Sequence, residues 1–205
     1  MSSSYHFITH WRVEGTCGEV ADVIGDPFAL TRWWPAVYLR VEELEPPGSS
    51  GLGRRLRLLT KGWLPYTLAW ESLVVESRYP NGFTLEASGD FVGRGAWTFE
   101  QDDAFVKVTY DWRIRAEKPL LKTLAPLLGP LFEANHRWAM AQGEESLALE
   151  LRRRRAVSDA LRAAVPAPPG PVTYAAVTLI GGAALIGGTL AYLMLRAHRR
   201  SRDDD

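Results

Sequence analysis

Residues 105–115 read FVKVTYDWRIR, and residues 131–155 read LFEANHRWAMAQGEESLALELRRRR. In the first stretch Val106, Val108, Tyr110, Trp112 and Ile114 alternate with Lys107, Thr109, Asp111, Arg113 and Arg115. That period of two belongs to a strand with one buried face. Beyond Lys118-Pro119 the period changes. Leu121, Leu124, Leu128, Leu131, Asn135, Ala139 and Gln142 recur at three and four, which predicts a long amphipathic helix running into the arginine cluster. Pro126 and Gly129-Pro130 are expected to kink or divide its first part. A long helix with one apolar stripe, placed after a strand with one apolar face, sets the architecture: each must bury that face against another element.

Working back from there, Tyr5, Phe7, Thr9, Trp11 and Val13 alternate with His6, His10 and Arg12, a strand that ends at Gly15-Thr16. Cys17 to Ile24 reads as a short helix, with Thr16 as N-cap and Glu19 three residues on. Asp26-Pro27 breaks it, and Phe28 to Trp34 reads as a second short helix stopped by Pro35. Further strands are predicted over Tyr38–Leu44, Arg54–Lys61, Tyr66–Glu76, Gly82–Ser88 and Arg94–Glu100. Pro46-Pro47-Gly48, Gly62 to Pro65, Pro80-Asn81-Gly82 and Gln101-Asp102-Asp103 supply the turns between them. Such short connections imply an antiparallel meander. The fold class is therefore α+β, a curved antiparallel sheet wrapped on a long C-terminal helix. The space between sheet and helix is the natural small-molecule site.

The chain has 205 residues and a formal net charge of +0, from 24 Lys+Arg and 24 Asp+Glu. That balance argues against nucleic acid as a partner, because phosphate binding relies on a basic excess. Cys17 is the only cysteine, so there is no intrachain disulfide and no thiolate metal cluster. From Val172 to Leu195 no side chain is charged, and an arginine-rich tail follows. A run of this length and composition is expected to be a single transmembrane helix, with a membrane as partner. Ala183/Gly187 and Ala184/Gly188 are small-xxx-small pairs that suit a weak homodimer through that helix. The N-terminus lacks the basic start and apolar run of a secretory signal, which would leave the N-terminal domain cytoplasmic. The expected division is a ligand-binding domain over 1–155, a Pro/Ala-rich linker over 156–171, the span over 172–195 and a basic-then-acidic tail over 196–205.

Four segments together carry a family resemblance: GTCGEVADVIGDPFALTRWWP after the opening strand, GDFVGRGAWTFEQ, VTYDW, and LFEANHRWAMAQGEESLALEL. With them the chain resembles, over about residues 5 to 155, the SRPBCC superfamily of START-like or Bet v 1-like helix-grip domains, and within it the polyketide cyclase/dehydrase group. The resemblance implies a cavity for an apolar or amphipathic ligand such as a lipid, quinone, sterol or polyketide. Carriers, sensors and cyclases all use this fold, so fold alone does not choose among them.

The aromatic load is the main chemical signal. Trp34, Trp63, Tyr66, Trp70, Phe91, Trp97, Tyr110, Trp112 and Trp138 fall on or near the proposed sheet and helix. Of these, Trp34, Tyr66, Trp70, Trp97, Tyr110 and Trp112 are expected to contact ligand, together with Asn135 and His136 of the long helix. Flat rings suit a flat ligand, and ordinary core packing is the alternative for any one of them. If the domain is an enzyme, His136 is the acid or base and Tyr110 a hydrogen-bond donor. Asn135 or His136 would otherwise tie a helix or strand end. Glu71 and Asp111 are expected to point outward, and Asp90 to bond backbone in its Ser-Gly-Asp turn. His6 and His10 share a strand face, but no carboxylate or cysteine completes a metal site. No cofactor motif is present. Two readings follow: a membrane-anchored carrier of a small hydrophobic ligand, or a polyketide cyclase/dehydrase-type enzyme in the same cavity. A wholly apolar cavity favours the first, and converging polar groups favour the second.

Overall fold

The computed structural model describes residues 4–49, 51–117 and 119–173. Seven strands form one antiparallel sheet: β1 (Ser4–Glu14), β2 (Tyr38–Glu45), β3 (Arg55–Lys61), β4 (Thr67–Ser77), β5 (Gly82–Gly89), β6 (Phe91–Asp102) and β7 (Phe105–Ala116). Their order across the sheet is β1-β7-β6-β5-β4-β3-β2. Strands β2 to β7 are thus a meander of neighbours, and β1 closes beside β7. The β1–β7 register runs without a slip from Ser4↔Arg115 to Glu14↔Phe105, so the inward residues of both strands share one face.

Helix α1 (Cys17–Ile24) and the short α2 (Leu30–Trp33) connect β1 to β2, and α3 (Pro119–Arg155) follows β7. The capping box at α1 forms as the sequence predicts. Thr16 Oγ1 accepts from the Glu19 N–H at 3.2 Å, and Glu19 Oε2 accepts from the Thr16 N–H at 2.8 Å. The second short helix differs from expectation: Pro27–Ala29 is a 3-10 turn, and Asp26 Oδ1 accepts the N–H groups of Phe28 and Ala29. Helix α3 is a single element over Pro119–Arg155, so Pro126 and Pro130 do not divide it. Strand β6 starts three residues before its predicted start. Gly93 and Gly95 favour a loop locally, but pairing to β5 on one side and β7 on the other outweighs that preference. The linker contains a helix that the sequence reading does not predict, α4 (Asp159–Ala164), capped by Ser158, which accepts from the Leu161 N–H.

The concave face of the sheet packs against α1, α2 and the C-terminal half of α3. Trp11, Val13, Val20, Val23, Trp33, Phe99, Val106, Val108, Leu147 and Leu151 form the buried centre. Two ionic latches hold the helices. Arg155 Nε donates to Glu19 at 2.7 Å, joining the end of α3 to the start of α1. Glu150, only 1% exposed, accepts from Arg32 at 2.9 Å, Arg153 at 3.0 Å and Arg154 at 3.1 Å, tying α2 to α3.

The membrane anchor is corrected. No helix among the described residues is long and apolar enough to cross a membrane. The long helix α3 carries charge along much of its length and belongs to the domain. An uncharged run of sufficient length licenses a span without establishing one. Beyond Thr173 the run expected to span, with its small-residue dimer contact, lies outside the described residues. The transmembrane element of the fold class, the membrane as partner and the single-pass localisation are corrected with it.

Candidate functional site

Between the concave sheet and α3 lies a cavity of about 160 Å³. All eight side chains singled out in the sequence line it: Trp34, Tyr66, Trp70, Trp97, Tyr110, Trp112, Asn135 and His136. Strand pairing explains the convergence. Trp97 and Tyr110 are directly opposed on β6 and β7, and Trp112 lies two residues further along β7. Their rings stack in sequence, Trp97 on Tyr110 at 4.0 Å and Tyr110 on Trp112 at 5.5 Å. Trp70 joins the row from β4, at 5.9 Å from Trp112, and its indole N–H donates to Thr60 Oγ1 at 3.1 Å. Gly95 faces Trp112 across the ladder, and a Cβ there would lie 2.7 Å from the Tyr110 hydroxyl oxygen. The glycine is what lets the phenol lie against β6.

The polar groups are few and buried. Burial holds the Tyr110 hydroxyl well above the ordinary phenol range, and nearby Tyr38 adds to the shift. Tyr38 is raised by burial as well. Tyr66 is pushed up to about 12, by burial first and then by neighbouring Tyr5. These phenols therefore stay protonated at neutral pH and serve as hydrogen-bond donors. Burial pushes His136 down to about 4, so its imidazole is neutral. The ring stacks on Phe7 at 4.2 Å, and its Nε2 lies 3.5 Å from Thr9 Oγ1. Asn135 is engaged in holding the fold. Its Oδ1 accepts from the Leu64 N–H at 3.2 Å, fastening the β3–β4 connection to α3.

Sequence reasoning leaves out Tyr5, Phe7, Tyr38 and Phe132, which also line this cavity. Tyr5 and Phe7 share the face of β1 that carries Trp11 and Val13, so the alternation already contains the signal. Trp63 and Trp138 are not among the lining residues. Outside the cavity, Arg57 donates to Glu71, and Asp111 accepts from Arg113 and contacts His6 Nε2 at 2.9 Å. His10 contacts Thr109 Oγ1. Asp90 bonds backbone on β4, accepting from the Ala69 N–H at 2.9 Å. Among the described residues no three His, Cys, Asp or Glu side chains are grouped to hold a metal ion.

A second, larger chamber of about 410 Å³ adjoins the first. Trp34, Tyr38, Trp70 and Trp97 belong to the walls of both. It is lined by α1, α2 and the sheet, and bordered by the turns that carry Gly51 and Tyr79.

A curved antiparallel sheet gripping a long C-terminal helix around an aromatic cavity is a helix-grip fold. Solved structures share it. The TTHA0849 protein of Thermus thermophilus superposes with a TM-score of 0.60 at 15% identity, over 74% of this chain and 100% of that one. The Zhui aromatase/cyclase of Streptomyces sp. R1128 gives 0.58 at 18%, over 76% and 98%. The di-domain aromatase/cyclase BexL of the BE-7585A biosynthetic pathway gives 0.54 at 16%, over 81% of this chain and 51% of that one. No protein-family model and no curated protein matches the sequence. At these identities the likeness is one of fold. The membrane-anchored carrier expected from the sequence is corrected with its anchor: no helix among the described residues is long and apolar enough to cross a membrane.

Proposed function

We propose that the domain is a polyketide cyclase/dehydrase-type enzyme acting on a small hydrophobic, oxygen-rich substrate. The observation that carries this reading is the convergence of polar groups in an otherwise aromatic cavity: neutral His136 with the protonated phenols of Tyr110, Tyr38 and Tyr66. A carrier needs only apolar area, whereas ring closure needs donors on carbonyl oxygens and an acceptor for a carbon-bound proton.

In this reading the stacked rings of Trp97, Tyr110 and Trp112 hold the chain flat and folded, bringing a methylene near a distant carbonyl. The Tyr110 hydroxyl donates to a carbonyl oxygen and stabilises the enolate that forms when His136 takes the methylene proton. The enolate carbon attacks the second carbonyl, and the resulting alkoxide recovers a proton from His136. Loss of water from that alcohol then conjugates the ring. His136 is a weak base with a pKa near 4, so the scheme depends on the phenol donors making the methylene proton easier to remove. Trp34, Trp70 and Tyr66 complete the wall, and Asn135 positions the β3–β4 connection.

The test is closure of a synthetic poly-β-ketone thioester, followed by liquid chromatography and mass spectrometry. Wild-type protein should direct closure to one product. His136→Ala should lose that direction while keeping a native circular dichroism spectrum, and Tyr110→Phe should slow it about 100- to 1,000-fold. A wild-type product mixture identical to that in buffer, or a His136→Ala variant that unfolds, sinks the proposal.

A further inference from the structure

Strand β1 is an edge of the sheet, with β7 as its neighbour on the other side. Directly after it, the Gly15 N–H donates to the Ala104 carbonyl at 2.9 Å, on the β7 side. The Arg12 N–H points the other way and donates to Glu144 Oε1 of α3 at 2.9 Å. Backbone groups alternate sides along a strand, and the β1–β7 register holds without a slip. The N–H and C=O groups of His6, Ile8 and His10 therefore also face away from β7. Among the described residues they have no partner. Nothing blunts this edge: Ser4–Glu14 contains no proline, glycine, lysine or bulge. The imidazoles of His6 and His10 lean toward β7, on Asp111 at 2.9 Å and Thr109 at 3.2 Å, and leave the edge clear. Ile8, between them, is 56% exposed. The opposite edge is guarded. Strand β2 carries Arg40, Glu42, Glu43 and Glu45, and its register shifts between Tyr38 and Arg40 and between Glu43 and Glu45.

We propose that β1 is a homodimer interface: two copies of this chain pair antiparallel, edge to edge, about a twofold axis at Ile8. In that register Ile8 faces the partner's Ile8, and His6 faces the partner's His10. The occupant is a second copy because the edge is complementary to itself. The pairing uses the backbone groups that are open and ends where Glu144 already holds the Arg12 N–H. It covers the exposed Ile8 with an identical side chain, and it sets no two arginines and no two carboxylates opposite each other. One twofold contact satisfies both open edges at once and closes the assembly, since each copy keeps only the guarded edge at β2. A contact of one strand per copy falls below the ~1,200 Å² of a standard interface, so the dimer forms and dissociates with concentration. The inference does not rest on the proposed activity. It does bear on the cavity, because Tyr5 and Phe7 of β1 are part of the cavity wall that the dimer would brace.

The experiment is sedimentation equilibrium on the full-length protein over about 5–500 µM, the range of a weak interface. The mass should rise from 22.9 kDa toward twice that value. Amide hydrogen exchange on the same samples reads the edge itself. Phe7 and Thr9, in the ladder to β7, should be protected throughout, and His6, Ile8 and His10 should gain protection as the dimer fills. Ile8→Lys and Ile8→Glu each put like charges on the axis and should weaken association at least about tenfold. Their equimolar mixture should recover it, because opposite charges then meet. Ile8 is exposed and its outward groups lie off the ladder, so thermal melts of both variants at low concentration should match wild type. If a variant does not fold, the wild-type exchange pattern decides. A monomer at every concentration overturns the proposal and leaves the edge to a strand of some other protein. A dimer that survives Ile8→Lys, or a mixture that fails to recover association, overturns it as well. So does protection of His6, Ile8 and His10 already in the monomer, since the chain would then cover its own edge.

Discussion

Replacing Gly143 by alanine sets two local effects against each other. Gly143 is buried inside α3, and an alanine in a helix interior is favoured over glycine by about 1 kcal/mol from propensity alone. Its Cβ would, however, lie 2.7 Å from Cε2 and 2.8 Å from Cη2 of Trp34. That indole cannot easily yield, because Trp11, Trp33 and Tyr38 pack around it at 5.7, 5.4 and 5.2 Å between centroids. Overpacking of this kind costs roughly 1–3 kcal/mol. The balance is a net loss of up to about 2 kcal/mol, or up to roughly 4–8 °C in Tm for a domain of this size. Trp34 should also move into the shared wall of the two chambers and weaken ligand binding. Thermal melts of Gly143→Ala test the sign, and a double variant tests the cause. With Trp34→Leu as background the same alanine should become stabilising by about 1 kcal/mol. A Tm increase for Gly143→Ala in the wild-type background would refute the packing reasoning.

Two further outcomes follow from the ionisable groups. His136 is held near 4 when folded, against an ordinary 6.5. Its contribution is therefore fully present above about pH 6.5 and is lost as pH falls toward 4, because the unfolded state binds the proton first. Up to about 3 kcal/mol is involved; urea titrations at pH 7.5 and 4.5 measure it, and a smaller loss in His136→Gln identifies the residue responsible. For the latch at α3, Glu150→Ala leaves Arg32, Arg153 and Arg154 without their shared carboxylate. Arg32 is 64% exposed and can turn to water, so the expected cost is about 1–2 kcal/mol rather than the 3–5 of a fully buried pair. Chemical denaturation should also show reduced cooperativity between α2 and the rest, and an unchanged midpoint would show that the cluster is not a latch.

Much of the architecture is legible because it repeats at short range. The alternation over Phe105–Arg115 and Tyr5–Val13, the change of period after Pro119 and the Thr16/Glu19 box are each visible within a few residues. The start of β6 is not, because Gly93 and Gly95 speak against a strand locally and only pairing on both sides overrides them. The apolar run after Val172 is a weaker guide than its length suggests, and the carrier function that leans on it falls with the anchor.

Sequence by itself determined the seven strands, α1 and α3, their order and the side of each strand on which the aromatic rings lie, because these depend on periods of two and 3.6 and on caps and turns. It could not say that Trp97 stacks on Tyr110, that Asn135 is committed to Leu64, or that burial leaves His136 neutral. Those facts join residues more than ten, and in one case more than seventy, positions apart. Strand register and the placement of α3 over the sheet decide them. Tertiary structure alone also divided the interior at Trp34, since the indole reaches that position only because α3 presents a glycine at 143.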